Sequence, residues 1–74
     1  MKKLIEILKA LKPEIDFEKE KKLVDTGLLD SMAIVEIISS IEENFDVQIN
    51  PEDIDPDNFQ SVETIWNMIE SIKK

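Results

Sequence analysis

With no cysteine and no histidine among its 74 residues, this chain can do nucleophilic or acid–base chemistry only with hydroxyls, carboxylates and lysines. Thiolate nucleophiles, imidazole bases, disulfides and the usual zinc ligands are excluded together. Two places concentrate what is left. The first is Asp30-Ser31, in the stretch Asp25-Thr26-Gly27-Leu28-Leu29-Asp30-Ser31-Met32 that leads directly into an apolar run. Its serine has no histidine to activate it, and a chain with one glycine cannot build a phosphate-cradling loop. An Asp-Ser pair ahead of an amphipathic helix is also ordinary capping chemistry, so a cap and an active residue both stay open. The second place is Asp53, Asp55 and Asp57, which alternate like the opening of an EF-hand loop. Its sixth position is Asn58 rather than glycine, its twelfth is Thr64 rather than glutamate, and Pro56 stiffens it. No metal site is therefore assigned. Carboxylate pairs on an acidic helical surface are solvated rather than tuned for proton transfer, so an independent enzyme is not expected.

The charge is strongly uneven. Through Val24 there are seven lysines against five acids, whereas from Asp25 to Ile72 twelve acids occur with no basic residue. The net charge is −8 and all nine basic residues are lysine, which argues against nucleic-acid binding. A solvated acidic face is one reading of this half. A surface that meets basic partners is the other. No run is long enough to span a bilayer, and the lysine-rich start is too short for a secretory signal, so a cytoplasmic protein is expected.

Periodicity supplies the elements that must position these residues. Leu4, Ile5, Ile7, Leu8 and Leu11 mark an amphipathic first helix that Pro13 ends. Residues 13–30 have no sustained period. Ile15, Phe17, Leu23, Val24, Leu28 and Leu29 are expected to pin a long loop to the core, with a positive-φ turn at Gly27. Asp30 is a good N-cap for a second helix running to Phe45. Ile34, Ile37, Ile38, Ile41 and Phe45 form its inward stripe. Met32, Val35, Glu36, Ser39 and Glu43 form a second, mixed stripe that looks exposed. Asn50-Pro51-Glu52-Asp53 starts a short helix, and Asp55-Pro56 quickly restarts the chain. Ser61 caps a last helix with Val62, Ile65, Trp66, Ile69 and Ile72 inward and Lys73 and Lys74 at its negative end. Val47, Gln48 and Ile49 alternate like a strand but lack a partner, and an extended connection is expected. The fold class is all-α: one domain over residues 1–74, a small bundle of three main helices and one short helix with a long first loop.

The stretch Gly27-Leu28-Leu29-Asp30-Ser31-Met32, followed by an isoleucine-rich helix ending in Glu42-Glu43-Asn44-Phe45, resembles the acyl carrier protein family over essentially the whole chain. Members carry Asp-Ser-(Leu/Met) at the start of their second helix. The resemblance implies a carrier-type four-helix bundle in which Ser31 bears 4′-phosphopantetheine, transferred from coenzyme A by a Mg²⁺-dependent transferase. The prosthetic group would supply the thiol that the chain lacks, and acyl or aminoacyl cargo would ride on it as a thioester. Asp30 is then both helix cap and motif partner. Met32 and Val35 would give a small apolar contact beside the arm, and Glu36, Glu42 and Glu43 would meet basic patches on the transferase, loading enzymes and acyl-transfer enzymes. Ser39 stands where the fatty-acid branch often has a larger apolar residue. The string from Thr26 to Met32 looks closest to free-standing D-alanyl or aminoacyl carriers, while Asp55-Pro56-Asp57-Asn58-Phe59 is similar to other stand-alone carriers of secondary pathways. A monomer is expected. The rival reading is an unmodified acidic helical adaptor that binds partners without carrying cargo.

Overall fold

The computed structural model describes residues 2–73. Three α-helices, α1 (Lys2–Leu11), α2 (Ser31–Phe45) and α3 (Val62–Lys73), are joined by a long first connection and by two 3₁₀ turns, Pro51–Asp53 and Pro56–Phe59. The first helix lies against both others, and the turn at Pro56–Phe59 lies against α3. Lys73 sits in the last turn of α3. Lys74 lies outside the described residues.

Leu4 and Leu8 of α1, Ala33, Ile37 and Ile41 of α2, and Val62, Ile65, Met68 and Ile69 of α3 meet in one core. Ile5, Leu11, Ile34, Ile38, Phe45, Trp66 and Ile72 are half-buried at its margin. Two aromatic residues fill the middle. Phe17 from the first connection and Phe59 from the second 3₁₀ turn are both fully buried, each worth roughly 1.5–3 kcal/mol relative to exposure. A domain of this size buries a modest share of its chain surface, so the connections supply part of the core alongside the helices.

The first connection is pinned by Ile15, Phe17, Leu23 and Leu29, all buried. Gly27 turns the chain at φ +79°, as its position suggests. Leu28 departs from expectation: it is 40% exposed, because the turn at Gly27 sends Leu29 rather than Leu28 into the core. The expected short helix after Asn50 is instead two single 3₁₀ turns. Pro51 and Pro56 each start one turn, and only four residues separate them, too few for an α-helix to propagate. Residues 47–50 form neither helix nor strand, and Asn50 has an extended backbone.

The helix ends are individually secured. Ser61 caps α3, with the Thr64 N–H donating to Ser61 Oγ at 3.2 Å and the Ser61 N–H donating to Thr64 Oγ1 at 3.0 Å, a reciprocal arrangement of the capping-box kind. α2 has no basic residue in its last turn, yet Lys3 Nζ of α1 donates to the Asn44 carbonyl at 2.9 Å. The same ammonium lies 5.2 Å from the Phe45 ring centroid, and Phe45 meets Trp66 edge-on at 6.0 Å. Two exposed ion pairs, Lys9–Glu18 and Lys21–Glu63, tie the first connection to α1 and α3. The hydrogen bond from Lys21 holds the Glu63 carboxyl below the ordinary carboxylate value. Its contribution to stability is present above the unfolded-state pKa and lost as pH falls through the folded one.

α2 ends at Asp46, which adopts a left-handed conformation at φ 55° and ψ 50°. A non-glycine residue there is strained, and its carboxylate faces the negative end of the helix dipole. Asp46→Gly removes both penalties and is expected to raise stability by about 0.5–1 kcal/mol, measured by urea denaturation.

Candidate functional site

The N-terminus of α2 is built from the loop side. Asp30 has an extended backbone at φ −95° and ψ −178°, and its Oδ1 accepts from the Ala33 N–H at 2.8 Å. Its carbonyl accepts the first helical bond, from the Ile34 N–H, at 3.0 Å. The aspartate is therefore the cap, and Ser31 is the first helical residue. The serine is exposed, and its hydroxyl is free of the capping role. The N–H groups of Ser31 and Met32 belong to the first turn, where a helix has no internal acceptor for them. They form the positive end of the dipole of a 15-residue helix.

Beside Ser31 runs an apolar groove of about 290 Å³, lined by Ile34, Val35, Ile38, Ile54, Pro56 and Phe59, with Asp55 at its edge. One wall is α2 and the other is the segment through the second 3₁₀ turn. The Asp55 side chain accepts from the Asp57 N–H at 2.9 Å, which fixes that wall. Met32 is 71% exposed and Val35 59%, and Glu36, Ser39 and Glu43 are exposed on the same helix face. Among the described residues Glu36 and Glu43 form no ion pair.

Glu42 differs from its expected companions. It is half-buried, and its carboxylate accepts from the Ile49 N–H at 2.9 Å, holding the extended segment against α2. Its position one residue before Glu43 turns it by about 100° toward the bundle. Ile54, 43% exposed and in the groove beside Ser31, escapes the sequence reading, and Leu28, expected to pin the loop, is 40% exposed instead. The signal for Ile54 is its isolation between Asp53 and Asp55, an apolar residue with no periodic partner.

Two replacements of Asp30 separate charge from hydrogen bonding, because asparagine keeps an acceptor for the Ala33 N–H and alanine keeps none. Asp30→Ala is expected to lower stability by about 1 kcal/mol and Asp30→Asn by a few tenths, read from thermal or urea unfolding. Equal losses in both would show that charge, not the cap bond, holds the helix start.

Comparison with known proteins places this geometry. The family profile for the phosphopantetheine attachment site matches residues 2–69. Over 54 residues the chain is 44% identical to aminoacyl carrier protein 1 of Bradyrhizobium diazoefficiens, a match covering 73% of this chain and 59% of that protein, less than two thirds of its length. It is 40% identical over 52 residues to the D-alanyl carrier protein of Listeria welshimeri, covering 70% of this chain and 67% of that one. Over 59 residues it is 42% identical to the acyl carrier protein of Desulforapulum autotrophicum, covering 80% and 70%. No solved structure matches. An all-helical chain whose second helix opens on a capped Asp-Ser pair, and whose sequence matches the attachment-site family almost from end to end, belongs to the acyl carrier protein family, whose prosthetic group is 4′-phosphopantetheine.

Proposed function

We propose that Ser31 takes the 4′-phosphopantetheine and that this chain is a non-catalytic carrier of acyl or aminoacyl groups. The observation that carries this reading is the exposed Ser31 hydroxyl at the first position of α2, with the cap already supplied by Asp30. When attached, the prosthetic group supplies the thiol on which cargo is held as a thioester. The residues present suit it. A phosphodiester at Ser31 meets the first-turn N–H groups and the positive dipole end, an interaction worth ~0.3–1 kcal/mol at an exposed position. The groove lined by Ile34, Val35, Ile38, Ile54 and Phe59 offers apolar surface along which the arm can rest. Asp30, exposed beside the serine, is assigned a second role in organising Mg²⁺ once a transferase is bound.

Partners meet Met32 and Val35 first, ringed by Glu36, Ser39 and Glu43. Small charge-steered contacts suit a protein that must bind several enzymes and leave each quickly, because steering raises association without demanding slow release. Glu42 is left out of this surface, since its carboxylate is engaged by Ile49. An aminoacyl cargo is the narrower reading. It is supported by likeness to the Bradyrhizobium and Listeria carriers. The chain is proposed to act as a monomer in the cytoplasm, where coenzyme A is supplied; among the described residues no helix is long and apolar enough to cross a membrane.

Incubating the apo protein with coenzyme A, Mg²⁺ and a broad-specificity transferase is expected to add the mass of one phosphopantetheine, and Ser31→Ala to add none. An unmodified wild-type chain, or an adduct that survives Ser31→Ala, would falsify the assignment and favour an acidic adaptor. Docking has its own test. Raising ionic strength from about 0.02 M to about 0.5 M is expected to slow association with the transferase by about tenfold, measured by stopped flow. Glu36→Lys with Glu43→Lys is expected to slow it at low salt. A rate independent of salt would sink the steering account.

A further inference from the structure

One residue across the molecule, Gln60, makes four hydrogen bonds to the loop that delivers Ser31. Gln60 stands between Phe59, a wall of the groove, and Ser61, the cap of α3. Its Oε1 accepts from the N–H groups of Val24 at 3.1 Å and Asp25 at 3.3 Å. Its Nε2 donates to Asp25 Oδ1 at 2.9 Å, and its backbone carbonyl accepts from the Leu23 N–H at 2.8 Å. Leu23 passes the constraint on, because its own carbonyl accepts from the Leu29 N–H at 3.1 Å. Leu29 is buried and directly precedes Asp30 and Ser31. The support behind Gln60 is itself fixed: Thr64 Oγ1 donates to the Asn58 carbonyl at 3.1 Å, and Asn58 Nδ2 donates to the Asp53 carbonyl at 2.8 Å.

We propose that Gln60 is a positioning residue for modification of Ser31: by holding Leu23, Val24 and Asp25 it sets, through Leu29, where the attachment serine is presented. This rests on the reading of Ser31 as the attachment site. Four hydrogen bonds converge on a residue more than 30 positions from its partners, in a connection with no regular secondary structure of its own. Without them, the approach to α2 keeps the buried side chains of Leu23 and Leu29, bonds local to the loop such as that from the Gly27 N–H to the Val24 carbonyl, and one exposed ion pair to α3, Lys21–Glu63. A loop that samples other positions lowers the fraction of molecules ready to bind a transferase, and the apparent KM for the carrier rises by the same factor while kcat is kept.

The amide–carboxylate contact between Gln60 and Asp25 permits a donor–acceptor exchange as the test. Gln60→Glu keeps an acceptor for Val24 but sets two carboxylates against each other. Asp25→Asn alone still offers a carbonyl to the Gln60 amide. In the double variant, the amide introduced at position 25 donates to the carboxylate introduced at position 60. In the full apo chain, amide hydrogen exchange at Val24, Asp25 and Leu29 is expected to accelerate by about tenfold in Gln60→Glu, with exchange in the middle of α2 unchanged. The transferase KM is expected to rise at least about twofold at constant kcat. Asp25→Asn should resemble wild type, and the double variant should recover both quantities. Unchanged loop exchange, equal acceleration in all three helices, or an unmoved KM on a loosened loop would each overturn the proposal. A wild-type chain that accepts no phosphopantetheine overturns the attachment reading instead, and the exchange data, which need no transferase, tell the two failures apart.

Discussion

Helix α2 is buried along one side only, and the rest of the molecule is arranged around that fact. Ala33, Ile37 and Ile41 are within 2% of complete burial, while Met32 and Val35, each within two positions of a buried residue, are more than half exposed. A 15-residue helix is marginal by itself in water, so its stability comes from the apolar side. That seam fixes the rotation of the helix, and rotation decides what solvent and partners meet. With Ala33 facing the core, Ser31, Met32, Val35, Glu36, Ser39 and Glu43 face outward together. The exposed serine at the helix start and the acidic face are consequences of the same packing.

The electrostatics follow a similar division. Acids dominate the chain from Asp25 onward, and Glu42 and Glu43 lie close to the end of α2, where negative charge opposes the helix dipole. Each acid is treated differently. Glu42 is turned inward and used as an acceptor for Ile49, and Glu43 is left in solvent. The missing cation at the end of the helix comes from α1, since Lys3 reaches the Asn44 carbonyl and lies over Phe45. The lysine-rich first segment thus compensates the end of α2 far from Ser31. Its compensation does not extend to Glu36. A partner with a basic patch finds that side of the helix uncompensated.

Much of this was legible in the residues, for reasons that also mark where legibility stops. The three helices announce themselves through apolar spacing, the cap through Asp30, and the turn through the lone Gly27. These are local signals, carried by residues within one or two turns of each other. Small or adaptable residues such as Ala33 and Met68, both buried, carry no such signal, because their burial depends on what the opposing helix leaves room for. The 3₁₀ geometry of Pro51–Asp53 and Pro56–Phe59 was seen only as a short helix, since proline marks a start without stating the pitch. Glu42 and Gln60 were hidden more deeply. Their roles consist of hydrogen bonds to backbone groups seven and about 36 positions away, and no spacing rule reaches that far. At the site, the serine and its cap were visible, whereas the groove's second wall at Ile54 and Pro56 required the fold.

The one-residue offset between Asp30 and Ser31 decides what the helix start can do. Had the serine been the cap, its hydroxyl would be committed to a backbone N–H, and esterifying it would exchange a capping bond for a bulky substituent. The cap contributes about 1 kcal/mol, a sizeable share of the stability of a small domain. Modification would then loosen the helix that bears it. With the aspartate as the cap, the bond from Ala33 to Asp30 survives whatever is attached next door. Ser31 keeps helical backbone geometry, so an attached group starts from a rigid element while its own bonds remain free to rotate. The remaining first-turn N–H groups favour an anion at that place. Asp30 therefore makes the serine expendable to the fold, which is the condition under which a structural position becomes a chemical one.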